Sequence, residues 1–150
     1  MDVKLATEEL RARGFRLTRQ REAVLATLSG AERGLDPAEI LERGRAQCPE
    51  LGLATVYRAL DLFSELGILR RIHADKGCTA VAGTARKHGH YVVCTGCGRV
   101  MEFSTCDVHA LEAAAARETG FTISAHFLEL SGMCADCQTG AEPQATRVRT

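Results

Sequence analysis

The chain has 150 residues, enough for one good core or two small domains, and its 45% hydrophobic and 25% charged content is that of a soluble globular protein. Nineteen basic residues cancel nineteen acidic ones, so overall charge gives no support for nucleic-acid binding; no apolar run approaches a membrane span, and the N-terminus lacks a signal-peptide core. The seven cysteines are an odd number with four in metal-type spacing, which argues for a reducing cytoplasm and against a disulfide framework.

In chain order, Thr7 to Arg13 reads as a short helix ending at Gly14. Thr18 is an N-cap for a helix to about Ser29 that turns Val24, Leu25 and Leu28 inward. Arg11, Arg13, Arg16, Arg19 and Arg21 lie in this region with no acid among them, a patch able to hold phosphates or else an ordinary solvated helix end. Asp36-Pro37-Ala38-Glu39 is a helix start, with an N-cap acid, a proline at the first helical position and a glutamate three residues after the cap. That helix runs toward Gln47 and stops before Pro49. In Ala54 to Leu66, the residues Val56, Ala59, Leu60, Phe63 and Leu66 form an apolar stripe at helical spacing; Tyr57, Arg58 and Asp61 fall off it, and Gly67 ends the helix.

Ile68 to His73 and Cys78 to Val81 read as strands joined by a turn at Asp75-Lys76-Gly77. Helices followed by a hairpin outline a winged helix-turn-helix, whose last helix would enter the major groove. Ala82-Gly83-Thr84 reads as a hinge. Beyond it, His88 to Cys94, Val100 to Phe103 and Phe121 to Leu130 read as strands, with an alanine-rich helix over Val108 to Glu118 closed by Gly120. The expected class is therefore α+β. Residues 1–82 would form a winged-helix DNA-binding domain and 83–138 an α/β dimerisation and metal-binding domain, with 139–150 a disordered tail. The second domain is too small to stand comfortably alone and calls for zinc and a partner subunit.

Cys94-x₂-Cys97 and Cys134-x₂-Cys137 together supply four thiolates, the set a tetrahedral structural Zn²⁺ needs; redox dithiols or chance pairs are the alternatives. Gly96 and Gly98 frame the first pair as a knuckle turn. His88 and His90 alternate on a strand, so their imidazoles face one way, about 7 Å apart. Cys48 and Cys106 read as small hydrophobes. No nucleophile–base pair or phosphate loop points to an enzyme.

Four stretches carry a resemblance: GFRLTRQREAVL (14–25), ATVYRAL (54–60), HGHYVVCTGCGRVMEF (88–103) and CADC (134–137). In this order they resemble the ferric uptake regulator family of bacterial metal-dependent repressors, over roughly Leu5 to Cys137. The resemblance implies a homodimer that binds an AT-rich palindromic operator in double-stranded DNA. It implies zinc on Cys94, Cys97, Cys134 and Cys137, and DNA contacts from Tyr57 and Arg58. Thr55 and, from the basic patch, Arg13, Arg16 and Arg19 are further candidates; Arg19 stands where many members have proline and is an extra phosphate contact or nothing. A tyrosine ring suits a thymine methyl and a guanidinium suits guanine or phosphate; a half-buried aromatic is the plain alternative for Tyr57.

A second divalent ion (Zn²⁺, Fe²⁺, Mn²⁺ or Ni²⁺) is implied at His88, His90, His109 and His126. An all-imidazole set disfavours the harder Mn²⁺. The family's usual sensing site is damaged: Gly89 and Tyr91 stand where it normally has histidines, Leu35 near another and Ala82 near an acid, and only Glu102 matches. A shifted sensing site from His73, Asp75, Cys78 and Glu102 is an alternative, against a plain buried cysteine at Cys78. The function implied is a metal-responsive repressor of metal-homeostasis genes in the cytoplasm. The rivals are a peroxide sensor of the same family, a zinc-stabilised thiol redox protein and a zinc-knuckle RNA-binding module.

Overall fold

Caps and glycines decide where the helices begin and end. In the computed structural model, residues 1–31, 33–73, 79–83 and 89–140 are described, with backbone alone for 73 and 79–83. Helix α1 (Val3–Ala12) starts earlier than expected because the carboxylate of Asp2 accepts from the backbone N–H of Lys4 at 2.8 Å and of Leu5 at 3.4 Å. Helix α2 (Arg19–Ser29) is capped by Thr18, as its sequence indicates. Helix α3 (Pro37–Gly44) has both bonds of the capping box: Glu39 N–H to Asp36 Oδ1 at 2.8 Å, and Asp36 N–H to Glu39 Oε2 at 3.1 Å. It ends at Gly44, short of Gln47. A side chain at Gly44 would meet Leu51 Cδ2 at 2.7 Å, so the chain returning through Leu51 needs the bare backbone there.

Helix α4 (Leu53–Glu65) buries Val56, Ala59, Leu60, Leu62 and Phe63. Gly67 (φ +68) closes it: its N–H bonds Ser64 O at 3.0 Å and that of Ile68 bonds Phe63 O at 2.8 Å, the paired pattern of a left-handed helix end. Leu10, Val24, Leu25, Leu35, Ile40, Leu51, Val56, Leu60 and Phe63 are at most 1% exposed and make one core under α1–α4.

Strands β1 (Leu69–His73) and β2 (Thr79–Gly83) form an antiparallel pair. The expected hinge is corrected here. Ala82 pairs with Arg70 and Gly83 with Leu69, so both belong to the hairpin ladder. The turn at 75–77 lies outside the described residues, as do Cys78 and Thr84. The second sheet has the order β4-β3-β5, with β3 (His90–Cys94) antiparallel to β4 (Val100–Phe103) and parallel to β5 (Glu129–Gly132). Helix α5 (His109–Thr119) lies between β4 and β5 in the chain and ends at Gly120 (φ +73); α6 (Ala135–Gln138) follows β5.

The strand expected over Phe121 to Leu130 is realised only from Glu129, and 121–128 is irregular. Among the described residues its alternating apolar side chains stay largely uncovered: Phe121 is 72% exposed and Phe127 83%. A second small cluster joins Ile72 of β1 to Tyr91 and Val93 of β3. No helix of the described residues is long and apolar enough to cross a membrane.

Candidate metal centres and recognition helix

Cys94 is the last residue of β3, Cys97 sits in the turn after it, Cys134 is the N-cap of α6 and Cys137 is that helix's third residue. The sulfurs of all four lie within 4.8 Å of one another. The Sγ atoms of Cys97 and Cys134 are 3.8 Å apart; a tetrahedron with Zn–S bonds of ~2.3 Å has edges of roughly 3.8 Å. Gly96 permits the convergence, since a Cβ there would lie 3.0 Å from Cys137 Sγ. Arg99 bonds Asp136 at 2.8 Å and fastens α6 to the knuckle.

The Cys134 N–H donates to Cys94 Sγ at 3.2 Å. That donor first, then the N–H groups of Cys97 and Gly96, bring the Cys94 thiol down to about 6 against the opposing effect of burial. Cys137 is pushed up to about 12 by its side-chain hydrogen bond to Cys134 and by burial. A metal ion bound here displaces the Cys137 proton, so loading would depend on pH. The donor set fits Zn²⁺: four sulfurs close a tetrahedron and leave no open position. The redox reading treats each Cys-x₂-Cys pair alone, whereas the fold brings both pairs to one point.

A second group of potential ligands lies at the other end of β3. His90 opens that strand and is 1% exposed. His126 comes from the irregular segment before β5, and its ring stacks on that of His90 with centroids 5.1 Å apart. The third member is Cys106, from the loop between β4 and α5, with Sγ 3.2 Å from His126 Nε2. Ring nitrogens of both histidines and the sulfur lie within 4.8 Å of one another. Glu112, in the first turn of α5, places Oε1 2.8 Å from His126 Nδ1.

The expected set is brought together only in part. His90 and His126 meet. The His109 side chain is 87% exposed and is 3.5 Å from the outer oxygen of Glu112, apart from the cluster. His88 lies outside the described residues. Cys106 and Glu112 were missed by sequence reasoning. The available signal was a cysteine outside both Cys-x₂-Cys pairs, in the same loop that leads to His109.

At the positions that the resemblance pairs with the usual sensing site, or near them, the fold holds residues that are poor ligands. Leu35 is in the α-helical core. Tyr91 is 4% exposed, and its hydroxyl has no hydrogen-bond partner among the described residues. Burial first, then the nearby Glu102 carboxylate, push the Tyr91 phenol up to about 12, so it stays neutral. Glu102 packs against Gly89, where any Cβ would collide with its side chain. Of the shifted set, Asp75 and Cys78 lie outside the described residues and only the backbone of His73 is described; Glu102 alone is placed, on β4.

On α4, Tyr57 and Arg58 point away from the buried stripe. Tyr57 is 48% exposed, and Arg58 donates to Thr55 Oγ1 at 3.5 Å. The arginines at the N-terminus are less free of acids than their sequence suggests. Arg13 meets Glu9 at 3.2 Å and Arg19 meets Glu50 at 3.8 Å. These pairs are exposed and worth little, so the guanidiniums can change partners at small cost. Arg16 is exposed, and its carbonyl accepts from Arg21 at 2.7 Å.

Comparison with known proteins agrees with this geometry. The sequence profile of the ferric uptake regulator family matches residues 12–131. The ferric uptake regulation protein of Bordetella parapertussis is 34% identical over 133 residues, 88% of this chain and 96% of that protein. The peroxide operon regulator of Bacillus subtilis is 30% identical, covering 91% of this chain and 93% of that one. Among solved structures, a zinc uptake regulator complexed with zinc and DNA superposes with a TM-score of 0.77 at 26% identity, over 92% of this chain and 93% of that one. A zinc-bound manganese uptake regulator does so with a TM-score of 0.61 at 30% identity, over 86% and 98%. The chain belongs to the ferric uptake regulator family.

Proposed function

We propose that this chain is a homodimeric, metal-responsive DNA-binding repressor of metal-homeostasis genes, acting in the cytoplasm and without enzymatic activity of its own. One observation carries the reading. Helix α4 buries Val56, Ala59, Leu60 and Phe63 and turns Tyr57 and Arg58 outward, in the same chain that gathers four cysteine sulfurs within 4.8 Å. A helix backed by a solid core and followed by a hairpin is what a winged helix presents to the major groove. The superposition on a zinc uptake regulator bound to zinc and DNA supports the same use of α4.

In this reading the part of the chain through β2 holds DNA and residues from about 89 to 138 hold the metals and the partner subunit. Cys94, Cys97, Cys134 and Cys137 hold a structural zinc ion, which would tie the knuckle to α6. A second divalent ion is held around His90 and His126. The exposed Leu111, Phe121, Ile123, Phe127 and Leu130 are the surface for the second subunit. Metal response is then a population shift: dimers whose two α4 helices match successive major grooves are favoured when the metal sites are filled.

Peroxide sensing is disfavoured. It needs iron beside oxidisable histidines at the usual sensing positions, and Gly89 and Tyr91 stand at two of them. The test is operator binding followed by fluorescence anisotropy under graded Zn²⁺, Mn²⁺, Fe²⁺ and Ni²⁺. Arg58→Ala should weaken specific binding with unchanged zinc content. Arg19→Ala should weaken all DNA binding and reduce the salt slope by about one phosphate contact. If the dimer shows no preference for an AT-rich palindrome over random DNA with any of these metals, the proposed function is wrong. Cys78→Ser, compared with His90→Ala, tests the rival shifted site: loss of metal response in the former alone would move sensing to the hairpin.

A further inference from the structure

The second ligand group has a thiol where the resemblance places an imidazole. Cys106 Sγ is 3.2 Å from His126 Nε2, and both lie within 4.8 Å of a ring nitrogen of the buried His90. Glu112 Oε1 is 2.8 Å from His126 Nδ1. A carboxylate accepts, so Nδ1 carries the proton and Nε2 turns its lone pair toward Cys106 and His90. An outer carboxylate holding one ring nitrogen while the other faces a metal is the usual support of a ligating histidine. Among the described residues, His109 meets the other oxygen of Glu112, at 3.5 Å, from an exposed position.

We propose that His90, His126 and Cys106 bind a zinc-class divalent ion through two imidazoles and one thiolate. Glu112 is the positioning residue for His126, and Cys106 takes the place expected of His109. The thiol proton leaves to solvent as the metal–sulfur bond forms. A thiolate among the donors selects Zn²⁺ or Co²⁺ and rejects Mn²⁺, more sharply than an all-imidazole set. The site also joins three separate segments: the start of β3, the loop before α5, and the irregular 121–128 stretch that has little ladder bonding of its own. The inference rests on reading this region as metal-binding, and its test requires no DNA.

Full-length protein with one zinc per chain in the four-cysteine site is titrated anaerobically with Co²⁺. The parent should take up one Co²⁺ per chain, with tetrahedral visible bands and a near-ultraviolet sulfur-to-cobalt charge-transfer band. Cys106→Ser should lose the charge-transfer band and bind Co²⁺ more weakly, by more than the roughly 10–100-fold that an outer-sphere partner is worth. Glu112→Gln should keep the band and lose roughly 10–100-fold in affinity. His109→Ala should match the parent, and Mn²⁺ should not displace Co²⁺. Retention of one zinc per chain shows that each variant is folded. On the unaltered protein, Co²⁺ should also protect Cys106 from iodoacetamide, read by peptide mapping. A parent that takes up Co²⁺ without the charge-transfer band, or a His109→Ala variant that loses Co²⁺ while Cys106→Ser keeps it, overturns the thiolate assignment and restores the histidine set. No second ion at all overturns the second site itself, and operator binding measured separately would still stand or fall alone.

Discussion

The two halves of the chain reach stability by different means. Under α1–α4, Leu10, Leu25, Leu35, Ile40 and Phe63 are fully buried, and α1, α2 and α3 each have a side-chain N-cap. Among the described residues beyond 89, Tyr91, Val93 and Cys94 are the buried apolar material, joined by Ile72; α5 buries no residue, and Leu111 (69%), Phe121 (72%) and Phe127 (83%) face outward. A region with so little core calls for ligands and a partner to hold it. On the proposed function, the half that would touch DNA carries its own core, while the half that would respond to metal depends on metal and a second subunit.

The strongest way to break this comparison is to remove the knuckle. Cys97→Ser takes one of four donors from the site. Structural zinc contributes an apparent ~10–16 kcal/mol in small zinc-dependent folds. The variant should lose zinc, lose the dimer, and unfold its C-terminal half, while α1–α4 keep their helical circular dichroism. Metal analysis, sedimentation and a two-probe melt would show it. A zinc-free Cys97→Ser dimer that is fully folded would mean that the C-terminal half has a sufficient core after all.

The reciprocal experiment is Phe63→Ala. This ring is fully buried at the centre of the helical core. Its truncation should cost about 3–5 kcal/mol in chemical denaturation, with zinc content unchanged. If zinc is lost in parallel, the halves fold as one unit. Phe127→Ala should do the opposite on a smaller scale. The ring is 83% exposed, with Arg70 over it at 5.1 Å, so the subunit's own stability should move by no more than about 0.5 kcal/mol. As an interface anchor it should weaken the dimer by about 2 kcal/mol, roughly 30-fold in dissociation constant. An unchanged monomer–dimer equilibrium would remove this face from the interface.

What the sequence showed follows the same division. Caps and stripes are local, so Thr18, the Asp36–Glu39 box and the α4 stripe are readable, and their helices start within a residue of where expected, although α3 stops short of Gln47. The Cys-x₂-Cys pairs are readable because both sulfurs of a pair are a turn apart. Asp2 was missed because a cap two residues from the terminus precedes any periodic signal. The strand over 121–130 was over-read because alternation reports an apolar face without saying what, if anything, covers it; in the described residues Phe121 and Phe127 stay exposed. The place of Cys106 beside His126 was not legible because a loop leaves no periodic trace of where its side chain points. Only the packing of that loop on His126 reveals it.

The smallest effect tests whether the halves communicate. Glu39 closes the α3 capping box and pairs with Arg33. Arg33 in turn makes an isolated backbone bridge to Arg99, whose guanidinium holds Asp136 beside the knuckle. The Arg33 guanidinium first, then the Asp36 N–H, hold the Glu39 carboxyl below its usual value of 4.5, against the opposing effect of burial. A depressed carboxyl stabilises the fold above its unfolded value and loses that contribution as the pH falls through the folded one. Glu39→Gln keeps an acceptor for the Asp36 N–H and loses the ion pair. At pH 7 it should cost at most about 1 kcal/mol, because the pair is partly exposed. As the pH falls from about 4.5 through the lower folded value, the gap between variant and parent should close, since the parent's carboxylate is then neutralised as well. Zinc affinity should not change, because the link from Arg33 to Arg99 runs through backbone that the substitution leaves in place. A weaker zinc site in Glu39→Gln at pH 7 would show that the helical core and the knuckle are energetically joined along this path, and that the two halves are less independent than their burial suggests.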